Sequence, residues 1–220
     1  MEGVFVDRPN RFIAHVEING RVETVHVKNT GRCQELLQPG AKVYLEESDN
    51  SSRKTKYDLV KVWKGQRLVN MDSQAPNKVV QEFIEQGKLF EKVTKIRPET
   101  TYGKSRFDFY VEAGGEKIFI EVKGVTLEES GVVRFPDAPS ERAVKHVEEL
   151  VAAKKAGYQV YIFFVIQMEN VSYFTPNDRT HKAFGDALRK AAKEGVKVLA
   201  YECLVTEDGL EISKEVEVRL

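Results

Sequence analysis

The sequence has few cysteines and no long apolar run, and each of these shortages excludes a structural class of proteins. Cys33 and Cys203 are the only cysteines among 220 residues, too few for a disulfide framework, and they form no CxxC pair for zinc. No apolar stretch approaches the roughly 18 residues that a membrane-spanning helix needs. The N-terminal residues MEGVFVDRPNRF lack the apolar centre of an export signal. We therefore expect a cytoplasmic protein that is neither exported nor embedded in a membrane.

The sequence also lacks a net charge. Its 34 Lys and Arg residues balance 34 Asp and Glu residues, so a polyanion site must be a local basic patch rather than a global field. A Gly-rich phosphate loop and a Ser/His/Asp order are both missing. His15, His26 and His181 do not have the spacing of metal ligands. These absences exclude several common enzyme classes, but they leave nucleic-acid chemistry open.

Short strands fill the first third of the chain. Polar and apolar residues alternate on both sides of Asn19-Gly20, a dipeptide that favours a tight hairpin turn. Further short strands separated by turn residues follow, up to about residue 70. This pattern predicts a small all-β barrel or sandwich, which we assign to a first domain of residues 1–72.

The pattern changes after residue 72, and we assign residues 73–220 to a second domain. Val79, Val80, Phe83 and Ile84 recur at helical spacing. A hairpin, a helix at SERAVKHVEELVAAKKAG, a strand at QVYIFFVIQM, a helix over about 182–194 and a last strand follow. This order predicts an α/β domain with a mixed sheet, and hence an α+β two-domain protein.

The stretch SRFDFYVEAGGEKIFIEVKG carries charges inside an otherwise apolar hairpin. With the Gly-Gly pair at the turn, Asp108 is expected opposite Glu121 and Arg106 opposite Lys123, all on one face. Two facing carboxylates repel each other unless a proton or a cation lies between them. Oxygen ligands favour Mg²⁺ or Mn²⁺, and Lys123 could orient a water or neutralise charge on a phosphate. On spacing alone, a surface ion-pair cluster explains the same four residues.

The same hairpin resembles a known nuclease motif. An Asp, a turn and Glu-x-Lys, preceded by a helix that carries a Glu, are typical of the PD-(D/E)xK nuclease superfamily. More closely, YGKSRFDFYV, IEVKGVTL, RFPDAPSERAVKHVEEL and NTGRCQELLQPGAKVYL are similar to the sugar fermentation stimulation protein A family, in both expected domains. This resemblance implies an N-terminal OB-fold-like barrel and a C-terminal PD-(D/E)xK nuclease-like domain. It also implies DNA binding and regulation of sugar (maltose) metabolism genes.

The resemblance further implies roles for individual residues. Asp108 and Glu121 become metal ligands and Lys123 the catalytic lysine. The helix carboxylate of the superfamily maps onto Glu82, or onto Glu85 one turn later. The superfamily's proline before the Asp is replaced here by Phe107.

Basic and aromatic residues outside the hairpin suggest nucleic-acid contacts. The segment SSRKTKYDLVKVWKGQR has six Lys or Arg against one acid, with a Tyr and a Trp between them, which suits backbone contacts and base stacking. A solvated loop with a core Trp is the alternative. Arg142 and His146 share a helix face behind the N-cap candidate Ser140, which could hold a phosphate or simply face solvent. The expected nucleic-acid-binding residues are Arg53, Lys54, Lys56, Tyr57, Trp63, Lys64, Arg106, Arg142 and His146.

Two functions remain open at this point. The first is a DNA-binding protein that processes nucleic acid with Mg²⁺ or Mn²⁺ as a PD-(D/E)xK endonuclease. The second is a DNA-binding regulator without catalysis. The expected partner is nucleic acid, which the resemblance implies to be DNA although the residues do not distinguish DNA from RNA; no membrane is expected, and a homodimer is left open.

Overall fold

The N-terminal part is a closed barrel. The computed structural model describes residues 1–29, 31–50, 52–103 and 105–220. The N-terminal strands are β1 (Glu2–Asn10), β2 (Ile13–Ile18), β3 (Arg21–Val27), β4 (Lys42–Glu47), β5 (Tyr57–Lys64) and β6 (Arg67–Asn70). The strands β3-β2-β1-β4-β5 are neighbours in that order, and a short parallel pairing of β3 with β5 closes the ring. The expected OB-like barrel is therefore confirmed.

The β2–β3 hairpin shows how the sequence encodes this barrel. Asn19 and Gly20 have positive φ values of 50° and 75°, which the tight turn requires. Ala14 and Val16 on β2 are fully buried, and their polar neighbours point outward. Alternation with period two therefore directs one face of each strand into the barrel core.

The C-terminal part is a mixed sheet with helices on both faces. Its elements are α1 (Ala75–Glu85), β7 (Val93–Tyr102), β8 (Ser105–Ala113), β9 (Glu116–Val125), β10 (Leu127–Glu129), β11 (Val132–Phe135), α2 (Glu141–Lys155), β12 (Gln159–Ile166), β13 (Tyr173–Pro176), α3 (Asp178–Lys193), β14 (Lys197–Val205) and β15 (Leu210–Glu215). The main sheet has the order β15-β14-β12-β9-β8-β7. The strand β12 is parallel to β9 and β14, whereas β8 and β9 are antiparallel. The predicted mixed α/β sheet is confirmed.

Strand β12 separates two apolar layers. Ile162 and Phe164 pack in the cluster that includes α2 and α3, and Phe163 and Val165 pack in the cluster that includes α1. A strand covered on both faces needs an unbroken apolar run, which this segment has. The sheet therefore has α1 on one face and α2 and α3 on the other.

Some elements differ from the sequence-based expectation. The helix expected over about 182–194 is observed after His181, whose backbone leaves the helical region (φ −154°, ψ 81°); a short helical turn from Asp178, which was not expected, precedes this kink and is included in α3. A small sheet of β10, β11 and β13 was not expected. No helix in the described residues combines the length and the apolar character that a bilayer crossing needs.

Candidate metal centre and nucleic-acid interface

The β8–β9 hairpin has the predicted register near its turn. Tyr110 pairs with Phe119 and Phe109 with Ile120, as expected from a Gly-Gly turn. In the described residues regular pairing ends there, so the expected direct pairing of Asp108 with Glu121 is not part of the ladder. Asp108 Oδ2 accepts a hydrogen bond from the Val122 backbone N–H at 2.7 Å. The carboxylate thus takes the place of a backbone acceptor where the two strands separate.

Asp108 is fixed between the hairpin and the start of α1. Its Oδ1 atom accepts a hydrogen bond from Asn77 Nδ2 at 2.9 Å, in addition to the Val122 contact of Oδ2. Burial and the nearby Glu121 carboxylate raise the pKa of Asp108 above its usual range. The Asp108 carboxylate thus contacts the peptide group that joins Glu121 to Val122.

Glu121 is buried and its two oxygens have different surroundings. Only 2% of the residue surface is exposed. Oε1 accepts from Lys123 Nζ at 2.6 Å and contacts His146 Nδ1 on α2. Burial alone would raise the pKa of Glu121, but the hydrogen bonds to His146 and Lys123 outweigh burial, and the pKa is lowered. Oε2 is buried and has no hydrogen-bond partner among the described residues.

The helix carboxylate expected at this site is not brought to Asp108. Glu82 is exposed and lies in a surface depression with Lys88 and Glu211. Glu85 is also exposed, and its carboxylate accepts from Gln81 at 2.7 Å. The helix residue that contacts Asp108 is Asn77, in the first turn. Glu82 lies five residues further, about 7.5 Å along the axis and on another side of the helix.

Comparison with known proteins assigns the chain to a family. The model of the sugar fermentation stimulation protein RE domain matches residues 74–209, and the model of the SfsA N-terminal OB domain matches residues 6–71. The chain belongs to the sugar fermentation stimulation protein family. The homolog from Ruminiclostridium cellulolyticum is 59% identical over 218 residues, covering 99% of this chain and 96% of the relative. The homolog from Desulfitobacterium hafniense is 61% identical over 219 residues, covering 100% and 96%.

A solved structure from the same family is similar over the whole chain. The structure of Pyrococcus furiosus SfsA in complex with Ca²⁺ matches with a TM-score of 0.91 and 28% sequence identity. It covers 100% of this chain and 95% of the other. The barrel and the mixed sheet described above are therefore the family's architecture.

In this family member, the basic segment of the barrel is largely occupied by internal contacts. Arg53 makes a two-pronged contact to the buried Asp58, with N–O distances of 2.7 and 3.0 Å. Lys56 contacts Glu47 at 3.2 Å and lies over the ring of Tyr57, which is itself buried. Lys54 is exposed. Most of these side chains are therefore committed to the protein's own structure.

The second half of that segment faces the C-terminal part. Lys64 Nζ contacts Glu128 Oε2 at 2.7 Å, and Glu128 is only 4% exposed. Trp63 is half-buried, and its indole N–H is buried without a partner in the described residues. Lys64 is therefore neutralised by a buried carboxylate, whereas Trp63 lines a surface depression together with Arg67.

The remaining expected nucleic-acid residues surround the hairpin. Arg106 is exposed and pairs with Glu99 at 3.4 Å. Ser140 caps α2, since its Oγ accepts from the Ala143 N–H at 3.2 Å. Arg142 is exposed, and its Nε donates to His146 Nε2 at 3.3 Å, so the predicted shared helix face is observed. His146 itself is 6% exposed and faces Glu121, which directs it to the carboxylate rather than to a solvent-borne phosphate.

Sequence reasoning did not single out Asn77 as a site residue. The only local signal was a polar residue in the first turn of a helix whose apolar residues face the sheet. Its contact with Asp108 spans 31 positions in the sequence, so no local pattern could pair the two.

Proposed function

We propose that this protein binds DNA and cleaves or processes it with a divalent metal ion, Mg²⁺ or Mn²⁺, as a PD-(D/E)xK endonuclease. One observation carries the proposal: the buried oxygen Glu121 Oε2 has no hydrogen-bond partner in the described residues and belongs to a carboxylate close to Asp108. A buried carboxylate oxygen without a partner is costly, and a cation is the partner that suits it. We assign binding to residues 1–72 and the reaction to residues 73–220.

The residues present fit a hard divalent ion. Asp108 and Glu121 supply carboxylate oxygens, the ligands that such ions prefer. In the described chain no three His, Cys, Asp or Glu residues are grouped to hold a metal ion, so water and substrate would complete the ligand set. The complex of the Pyrococcus relative with Ca²⁺ supports a divalent ion in this chain as well. When bound, such an ion neutralises phosphate charge and lowers the pKa of a bound water.

The chain's own side chains have separate tasks in this proposal. Lys123, half-buried beside Glu121, is a cation placed where negative charge on a scissile phosphate would grow. His146 contacts Glu121 Oε1, so in the described residues the other carboxylate oxygen, Oε2, remains without a hydrogen-bond partner. Asn77 and the Val122 N–H hold both oxygens of Asp108. The carboxylates are thereby fixed before any substrate arrives.

A second candidate function keeps the fold and omits the reaction. Lys123 and His146 both contact Glu121, so positive and polar groups already compensate much of its charge. This arrangement favours a non-catalytic DNA-binding regulator of sugar metabolism genes; the relatives' names refer only to the stimulation of sugar fermentation. The two functions differ in one measurable respect, which is metal-dependent cleavage.

The test combines a cleavage assay with two substitutions. The parent protein is incubated with single-stranded and double-stranded DNA and RNA, with and without Mg²⁺ or Mn²⁺. Glu121→Gln should abolish metal-dependent cutting and calorimetric metal binding, yet bind DNA in EDTA at least as well as the parent because one repulsive charge is gone. Lys123→Ala should lower cleavage by about 100-fold or more while metal affinity stays close to the parent value.

The matched control is Glu116→Gln, an exposed glutamate on the same strand β9. It removes the same charge away from the site and should change neither cleavage nor metal binding. If the parent cuts no substrate and calorimetry finds no Mg²⁺ or Mn²⁺ binding that Glu121→Gln removes, the regulator function replaces the nuclease.

A further inference from the structure

A cavity lies between the barrel and the C-terminal part. Its volume is about 380 Å³, and its lining includes Arg11 and Asn29 from the barrel and Arg134 and Ser140 from the other side. It reaches β9 at Gly124, one residue after Lys123. A second depression, which shares Arg11 with this cavity, continues it toward Arg32. The two together form an open path from the barrel surface to Gly124 on β9.

Arginines line this path with little local neutralisation. Arg11 and Arg32 are exposed, and in the described part of the chain neither has a carboxylate within salt-bridge distance. Arg134 contacts Glu129 at 3.1 Å. Asp137 also lines the cavity, and its carboxylate accepts a hydrogen bond from the Cys33 N–H at 2.9 Å. By contrast, Arg53 and Lys64 of the basic segment contact buried carboxylates.

An exposed aromatic ring lies at the barrel end of the path. Of the twelve phenylalanines, Phe12 alone is exposed in the described residues, at 50% of its surface. The guanidinium of Arg11 lies 5.8 Å from the centre of its ring. An exposed aromatic side chain beside a cation is the combination on which unpaired bases stack while their phosphates are held.

The backbone that presents these groups is rigidly held. The guanidinium of Arg8 donates to four carbonyl oxygens, those of Arg11 at 2.7 Å, Asn29 at 2.7 Å, Gly31 at 3.0 Å and Arg32 at 2.8 Å. The half-buried guanidinium of Arg8 therefore joins the β1–β2 turn to the segment that follows β3. Preorganised groups lose less conformational freedom on binding.

From this arrangement we infer that single-stranded nucleic acid binds in the arginine groove, defined by Arg11, Phe12, Arg32 and Arg134, and enters the metal centre past Gly124. The inference rests on the proposed function for its end point, but it names a surface that the basic segment 53–67 does not include. A base stacks on Phe12 and the phosphates contact Arg11 and Arg32. A single strand is required because a paired base has no free face to offer Phe12.

The experiment measures binding without cleavage. Fluorescence anisotropy of a fluorescein-labelled 20-nucleotide oligo-dT is recorded in EDTA over a range of salt concentrations, with a hairpin duplex and a mononucleotide as competitors. The double variant Arg11→Ala/Arg32→Ala should lower affinity by at least 10-fold and reduce the salt slope by about 1.4, since single strands contribute roughly 0.7 for each phosphate contact. Phe12→Ala should lower affinity by about 5-fold or more, as expected for one lost stacking contact of about 1 kcal/mol.

The matched control is Lys54→Ala/Lys56→Ala, which also removes two exposed cations but from the basic segment. It should change affinity by less than 2-fold. The inference is overturned if the control loses as much affinity as the groove variant, if the duplex or the mononucleotide binds more tightly than the single strand, or if the parent does not bind. If the groove variants lose binding but the parent protein cleaves no substrate, the groove inference stands and only the nuclease reaction is rejected. Cleavage that is unaffected by the groove variants would reject the groove alone.

Discussion

At the scale of single residues, His146 shows how a side chain on a helix orients a carboxylate, that of Glu121. His146 is buried on α2 and its Nδ1 meets Glu121 Oε1, while its Nε2 accepts from Arg142. Side chains that hold a metal-binding carboxylate in one orientation commonly contribute 10- to 100-fold to metal affinity or activity. His146 is therefore expected to act through Glu121 as a positioning residue.

We predict that His146→Ala lowers both metal affinity and cleavage by about 10-fold or more, because Glu121 loses the partner that orients it. Calorimetry with Mn²⁺ and the cleavage assay measure the two effects, and a melting curve measures the accompanying loss of stability. The control is Arg142→Ala, which removes the exposed neighbour of His146. It should weaken nucleic-acid binding in a salt-dependent manner and leave metal affinity unchanged. Equal metal affinity in His146→Ala and the parent would contradict the positioning role.

Some contacts of the site could be predicted from the sequence and others could not. Asp108, Glu121 and Lys123 are grouped by one hairpin, and strand alternation with a Gly-Gly turn is a local signal. The contact between His146 and Glu121 spans 25 positions and depends on how α2 packs on the sheet. The sequence could place His146 on a helix face with Arg142, but it could not show which group that face meets.

At the scale of elements, the closure of the barrel depends on a charged cluster. Asp58 lies on β5 where it pairs with His26 of β3, and it is 3% exposed. Arg53 at 2.7 Å, His26 at 2.9 Å and Lys28 at 3.3 Å contact its carboxylate. Burial alone would raise the pKa of Asp58, but these partners hold it well below its usual range. Arg53, expected to bind nucleic acid, thus has a structural contact that composition could not reveal.

We predict that Asp58→Asn destabilises the protein by about 2 kcal/mol near neutral pH, because the half-buried Arg53 and Lys28 lose the buried carboxylate that they contact. A lowered folded-state pKa gives stability that is present above the unfolded-state value of about 3.9 and is lost as pH falls toward the folded value. Urea unfolding from pH 7 to pH 3 should therefore show the parent losing more stability than Asp58→Asn below about pH 4. The exposed Asp49→Asn is the control. Parallel pH curves for parent and Asp58→Asn would contradict the assignment.

The elements themselves were predictable where a signal repeats along the chain. Alternating residues beside Asn19-Gly20 predicted a hairpin, and the helical spacing of apolar residues predicted α1. The unbroken apolar run predicted β12, and the structure contains all three elements. Short strands such as β10 and β11 have three or four residues, too few for a period to emerge. Their existence depends on pairing with each other and with β13, which is a tertiary event.

At the scale of the whole molecule, polar contacts join the barrel to the C-terminal part. Glu128 on β10 is 4% exposed and contacts Lys64 at 2.7 Å and Arg67 at 2.9 Å. Gln167 Nε2, after β12, donates to Asn70 Oδ1 at 2.8 Å. Although burial opposes it, the hydrogen bond from Lys64 keeps the pKa of Glu128 lowered. Gln167 also lines the cavity of the arginine groove, so its contact with Asn70 lies beside that groove.

We predict that Glu128→Gln lowers stability by about 2 kcal/mol, since the half-buried Lys64 and Arg67 keep their charges without a carboxylate between them. Glu128 joins the two parts through its contacts with Lys64 and Arg67. Calorimetry should therefore show two unfolding transitions in the variant, one for the barrel and one for the mixed sheet, where we expect a single transition in the parent. Glu129→Gln, the exposed neighbour, should change stability by less than about 1 kcal/mol, as surface pairs do. A single transition at the parent's temperature in Glu128→Gln would show that apolar contacts alone join the two parts. Two transitions together with weakened oligo-dT binding would show that this carboxylate holds the barrel in the position from which the groove reaches Lys123.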